Sequence, residues 1–400
     1  MKHILTIISF VLIALGIVTA IIFFIGLSRE YTYNGRGPIL IDKSGEVGDF
    51  IGGVIGTIFS LAGFFMLFLT LVDQGKSFRL ERFESKFFEL IKLHRDNIDE
   101  ISINMFKSGG RGKVKVFRGR NCFRYILEEF GYCQSEIAPF FEGVQIDDIY
   151  VETFYNRLID KLNGEGRRID FIELARINVA YCIVFFGVGV DSSVLLEKYF
   201  DKKYHLGFVR SIIEYARMKP RMDQPCFKNW FEINERFNFK RKLEIFEEIR
   251  ELRKEEELYY DFENESEAFE FYYESKFDKY YGGRQHNLGH YFRHLFQTVK
   301  YVSRHKDINS ADKYFYIKTL RGQTSSYEQL LLFINSLSFL GMAWELYPEM
   351  GNSSKKKDMV ANKLITSYNL IKNLPGEGAF GFYYRNYYPD VEYEWDSAFK

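Results

Sequence analysis

Residues Ile4–Leu27 read ILTIISFVLIALGIVTAIIFFIGL, and residues Phe50–Val72 read FIGGVIGTIFSLAGFFMLFLTLV. Neither run holds a charged side chain, and the first is interrupted by nothing more polar than Thr6, Ser9 and Thr19. At about 1.5 Å per residue, a helix of either length covers the ~30 Å hydrocarbon core of a bilayer. The two runs therefore predict two transmembrane helices, about 4–27 and 50–72. A cleavable leader fits the first run poorly: its apolar stretch is usually about 7–15 residues and ends at a small-residue site, whereas this one is longer and exits into Leu27-Ser28-Arg29-Glu30.

Basic residues near the membrane ends set the orientation. Lys2 precedes the first run. Arg29, Arg36 and Lys43 are mixed with acids in the connecting loop, and Lys76, Arg79, Arg82 and Lys86 follow the second run. The bias predicts a multi-pass membrane protein with both termini in the cytoplasm, and a short external loop around Asn34-Gly35-Arg36-Gly37-Pro38. The lipid bilayer is its first expected partner. In the second run Gly52, Gly56 and Ser60 fall at i, i+4 and i+8, a small-residue ridge of the kind that lets membrane helices approach closely. It would serve packing against the first span or a homo-oligomer through the second.

Beyond the second run the chain reads as a helical body. With 54 basic and 54 acidic residues the formal net charge is zero, so overall charge does not indicate nucleic acid as a partner. Cys122, Cys133, Cys182 and Cys226 have no C-x-x-C spacing and would face a reducing cytosol as free thiols. Only seven prolines interrupt 400 residues, which permits long helices. The fold class expected is all-α: two N-terminal transmembrane helices, then a cytoplasmic multi-helix domain. We divide the chain into an anchor (1–75), a helical domain (76–235), a charged helical hairpin or insertion (236–281), a C-terminal helical unit (282–374) and an aromatic tail (375–400).

Helical spacing marks several segments. Leu80, Phe83, Phe87 and Ile91 form a stripe that continues the second span out of the bilayer. Phe123–Phe130, Val151–Leu162, Phe171–Phe186 and Ser193–Met218 follow, the last with breaks. In the C-terminal unit Leu288–Ser303, Ala311–Gly322, Ser325–Trp344 and Lys357–Leu374 are expected helices, and Ser325-x-x-Glu328 has the form of a capping box. No alternation is long enough to force a sheet. Residues 107–120 hold six basic residues, Lys107, Arg111, Lys113, Lys115, Arg118 and Arg120, with four glycines and no acid. They read as a basic loop that is either solvated or set against phosphates. It lacks the Gly-Lys-Ser/Thr ending of a P-loop.

Candidate chemistry is sparse. His286, His290 and His294 share a helical spacing used by paired zinc ligands, but no acid is interleaved, and no metal or cofactor is expected. Arg284 and His290 match the Arg-x(4–6)-His spacing of HEPN-type ribonucleases and are the weak catalytic candidates. Arg293, His294, Arg321, Gln323, Glu328 and Asn335 lie on or near apolar helices and predict a buried polar network. Within it Arg293, amid Tyr291, Phe292, Leu295 and Phe296, is expected to pair structurally, with Glu328 as the candidate partner, or to snorkel to water.

Three groups of motifs carry a resemblance. Gly48–Gly63 is followed by Gln74 and by Phe83-x-x-x-Phe87-Phe88-x-Leu90-x-x-x-His94. Ala180–Gly187 comes next, and then Tyr291–Gln297 with Leu320-Arg-Gly-Gln-Thr-Ser-Ser-Tyr-Glu328 and the following Leu-Leu-Leu-Phe-Ile-Asn335. From about Gly48 to Leu374 the chain resembles phage abortive infection proteins of the AbiC-like group. The resemblance implies bacterial defence that halts phage propagation, commonly at the expense of the infected cell, with a phage component or defence partner as trigger. It implies no catalytic residues. The reading that follows is a membrane-anchored sensor-effector acting at the inner membrane. Its alternatives are a membrane-tethered HEPN-like ribonuclease and a scaffold, outside defence, for a cytoplasmic partner.

Overall fold

The computed structural model describes residues 2–30, 41–106, 114–164, 166–255, 277–348, 362–376 and 381–397. The expected external loop at 34–38, the basic residues Lys107, Arg111 and Lys113, and residues 256–276 of the charged insertion lie outside them. The chain forms two compact units, Met1–Phe88 and Glu89–Lys400. It is all-α: 72% is helical, with one two-stranded hairpin among the described residues.

The first unit contains α1 (Lys2–Glu30), α2 (Ile41–Phe50), a π-helical turn at Ile51–Ile55, and the start of α3 (Gly56–Glu100). Two of its helical stretches, His3–Arg29 and Ser44–Glu100, are long and apolar enough to cross a membrane. Several hydroxyls in the apolar runs are satisfied by their own helix: Ser9 donates to the Leu5 carbonyl at 2.9 Å and Thr70 to Met66 at 2.9 Å. That is how a polar side chain is carried in a medium without water. Between the helices Gly16 lies against Phe59 and Ile58, where an added Cβ would sit 3.1 Å from the Phe59 ring. Phe23 stacks on Phe50 at 4.2 Å. The Gly52/Gly56 positions are not used in this way. A Cβ at Gly52 would meet nothing within 4 Å, and one at Gly56 only the Ile51 carbonyl of its own helix.

In the second unit α7 (Phe171–Phe186) is the central helix, buried from Leu174 to Phe185 except at Arg176. Asp170 caps it by accepting from the backbone N–H groups of Ile172 and Glu173. Around it pack α4 (Asn121–Ile137), α8 (Val190–Phe200), α9 (Leu206–Arg217) and the C-terminal helices α12 (Gln285–Ser303) and α14 (Ser326–Leu337), with α13 (Ser310–Arg321) packed on α12. The short α5 (Ile146–Ile149), α6 (Glu152–Leu162) and α10 (Phe227–Arg236) complete the shell. Helix α11 (Phe239–Glu255) is the described part of the charged insertion. It packs Ile245 and Phe246 into a cluster with Tyr215, Met218, Cys226, Trp230 and Ile233.

Three expectations are corrected. The basic stretch is only partly a loop, because β1 (Ser102–Phe106) pairs antiparallel with β2 (Val114–Arg118), placing Lys115 and Arg118 in a strand. Five residues per strand are too few for alternation to stand out in sequence. Helix α14 begins with the Ser325–Glu328 capping box but stops at Leu337, where Ser338 turns extended. A one-turn 3-10 segment, Met342–Trp344, follows, with Gly341 so close to Asn335 that a Cβ would stand 2.3 Å from its carbonyl. The helix expected over Lys357–Leu374 is, where described, the single turn α15 (Leu364–Ser367). Asn369, at φ 48°, then leaves the right-handed region.

The aromatic tail belongs to the core. Phe382, Tyr384, Tyr387 and Tyr388 place their rings 5.1–6.1 Å from Phe333 on α14. The one-turn helices α16 (Tyr384–Tyr387) and α17 (Glu394–Ser397) carry this segment past α14. The four cysteines are free and buried.

Candidate functional site

Helix α12 organises the polar chemistry of the second unit, because its two faces do different things. At its N-terminus Arg284 turns inward and forms a two-pronged ion pair with Glu129 of α4, at 2.8 and 3.1 Å. The carboxylate is almost wholly buried. Burial pushes the Glu129 carboxyl up, and the Arg284 charge and hydrogen bonds oppose that push. His290, the other member of the weak catalytic pair, is exposed. Arg284 is thus committed to Glu129 and does not share a free site with His290.

Next along the buried face, Tyr291 donates to Glu328 at 3.0 Å. Glu328 is fully buried and is the centre of the network. It also accepts from the Ser325 hydroxyl at 2.8 Å and the Ser325 N–H at 3.1 Å, and it pairs with Arg120 at 3.4 Å. Arg120 further donates to the Gln323 carbonyl. Arg321 donates instead to the carbonyls of Tyr368 and Asn369, at 3.0 and 2.8 Å. Asn335 donates to the Tyr181 hydroxyl at 3.0 Å. The partner of Glu328 is therefore Arg120, not Arg293. Arg293 is exposed, since at 3.6 residues per turn it points away from the face that buries Tyr291 and Leu295.

His294 faces His94, which lies on the C-terminal part of α3 within this unit. The rings are 6.1 Å apart and nearly parallel, with Tyr291 5.1 Å from His94. His94 is fully buried, and neither ring nitrogen of either histidine has a hydrogen-bond partner. Burial, with the His294 and Arg120 charges adding, holds the His94 pKa at about 4. Burial also lowers that of His294. A folded-state pKa below the unfolded value of about 6.5 means stability that is complete above pH 6.5 and is lost as pH falls towards 4. We expect His94 to withdraw about 3 kcal/mol of stability across that window. His94→Phe should flatten the dependence, read as the difference between urea midpoints at pH 7.5 and pH 5. An unchanged difference would show that His94 does not titrate as its surroundings dictate.

The other face of α12 borders a groove of about 560 Å3. His286, His290 and Arg293 lie along it at i, i+4 and i+7, with Gln285 beside them. Gly282, Gly283 and Gly289 also line it, as do Phe185, Phe186 and Leu340. Gly187 and Gly283 let two backbone segments cross here, tied by Val188 N–H to Tyr281 carbonyl at 2.9 Å and Arg284 N–H to Phe185 carbonyl at 2.8 Å. Among the described residues no three His, Cys, Asp or Glu side chains gather as a metal would require.

Sequence reasoning missed Glu129, Arg120 as the partner of Glu328, and the buried Lys219. Lys219 pairs with Glu136 and lies over the Tyr280 ring at 3.6 Å, while Tyr281 donates to Glu136 at 2.6 Å. These partners are far apart in the chain and carry no local spacing. The histidine spacing was legible, but the row divides: His286 and His290 border the groove, and His294 faces His94.

Residues 283–349 match a family model described as "Putative phage abortive infection protein". No curated protein and no solved structure matches the chain. The matched segment holds α12, α13, α14 and the turn at Met342–Trp344, and with them the motifs Tyr291–Gln297 and Leu320–Asn335. Over residues 283–349, about a sixth of its length, the chain is similar to the phage abortive infection family.

Proposed function

We propose that this is a membrane-anchored phage-defence protein whose helical unit lies at the cytoplasmic face of the inner membrane and whose output acts there. The observation that carries the reading is a single chain that joins the abortive-infection segment, 283–349, to two helical stretches of bilayer length. The basic residues after the second run, Lys76, Arg79, Arg82 and Lys86, support cytoplasmic termini. A ribonuclease reading loses its main support because Arg284 is held by Glu129. Cells carrying the gene and cells carrying an empty vector are challenged with a phage panel while a dye reports membrane potential. The reading expects fewer plaques and early depolarisation in infected cells with the gene. Equal plaquing across the panel would reject defence, and protection at unaltered potential would reject the membrane output.

The open ridge at Gly52 and Gly56 supports a second copy as the partner of this surface within the bilayer. Gly56→Ile adds apolar bulk that does not oppose insertion. It is expected to reduce crosslinked dimer and protection together at normal membrane abundance. Undiminished crosslinking would show that the ridge has no part in assembly.

A further inference from the structure

The groove beside α12 has a composition unlike the rest of a chain whose charges balance. Its polar edge is made of His286, His290, Arg293 and Gln285, and among the described residues no carboxylate lines it. Glu129, which meets the start of the same helix from the buried side, is engaged by Arg284 at 2.8 Å. Helix α12 has no side-chain cap at its start, so the positive end of a 19-residue helix adds to the same edge. Gly282 and Gly283 give the groove a stretch of backbone without side chains, and nothing stands within 4 Å of where a Gly282 Cβ would be. The remaining lining is apolar and partly aromatic: Phe185, Phe186 and Leu340.

A site with a cationic edge, an aromatic wall and a volume within the usual ligand range of about 300–1,000 Å3 suits an anion joined to a flat ring. A bare carboxylate or phosphate would leave the apolar wall unused. A flat apolar ligand would leave two imidazoles and a guanidinium without partners. We propose that this groove binds a small nucleoside phosphate. The phosphate is held between His290 and Arg293, with His286 one turn nearer the helix start, and the base lies against Phe185 and Phe186. Arg293 suits the role because its guanidinium presents paired donors to phosphate oxygens, and because among the described residues no ion pair occupies it.

The test uses the purified full-length protein in nanodiscs and isothermal titration with AMP, GMP, CMP and UMP in turn, each beside its nucleoside and inorganic phosphate. At least one nucleotide is expected to bind with Kd below about 1 mM, with its nucleoside and phosphate alone each about tenfold weaker or more. Arg293→Gln and His290→Gln should each weaken the nucleotide about tenfold with unchanged melting temperature, since both side chains are exposed. Absence of binding for all four nucleotides at millimolar concentration overturns the proposal, as does binding that both variants retain. Inorganic phosphate binding as tightly as the nucleotides overturns the nucleoside assignment. The measurement needs no phage, so its failure would leave the defence reading standing, and a failed phage challenge would leave this site standing.

Discussion

Arg284→Ala is expected to destabilise the second unit by about 3–5 kcal/mol, the usual cost of removing one partner from a buried ion pair. The loss comes less from the attraction removed than from what remains, because Glu129 is left without its two donors in a place water does not reach. Arg284→Lys should recover only part, since an ammonium cannot reproduce two parallel bonds at 2.8 and 3.1 Å. Replacing both members by apolar groups, Arg284→Met with Glu129→Leu, should be much less damaging than Arg284→Ala alone. Urea unfolding of the four proteins gives the comparison. A normally stable Arg284→Ala protein that has lost protection would reverse this assignment and return Arg284 to the catalytic candidates.

Gly187→Ala should be at least as severe, with a loss of more than about 3 kcal/mol and a sharp fall in soluble yield. Gly187 has φ 79° and ψ 177°, a region essentially reserved to glycine. An added Cβ would also stand 2.7 Å from the Gly282 carbonyl carbon and the Gly283 nitrogen. Gly283 mirrors it, with a Cβ 2.6 Å from the Phe186 oxygen at φ 89°. These obstacles are backbone atoms, so no rotamer change relieves them. Gly282→Ala, with open space around its Cβ position, is the control and should cost less than about 1 kcal/mol. Melting temperatures of the three variants decide it. Equal tolerance at Gly187 and Gly282 would mean that the crossing yields easily.

What the sequence made legible was local. The span of α7, Phe171–Phe186, follows from its helical apolar spacing, and the structure adds the Asp170 cap at its start. The start of α14 follows from Ser325 and Glu328, and the two bilayer-length helical stretches from unbroken apolar runs. What it hid was long-range. Glu129 and Arg284 are 155 positions apart, so nothing in either neighbourhood marks them as a pair. Arg293 misled because its neighbours in sequence are apolar, although helical rotation sends Tyr291 and Leu295 inward and Arg293 outward. The tyrosine-rich tail has no period because it is not one element; its rings are placed one by one around Phe333.

That arrangement around Phe333 has a consequence for the order in which the protein is made. The apolar helices are synthesised before the core, while Phe382, Tyr384, Tyr387 and Tyr388 emerge after α14 and the helices that precede it in the chain. Domains fold broadly from the N-terminus as they are synthesised, yet here α14 lacks one of its walls until translation has passed the tail. A chain cut short before the tail by a frameshift or by ribosome stalling would carry an open core beside Phe333. The tail is thus a condition for a closed core around α14.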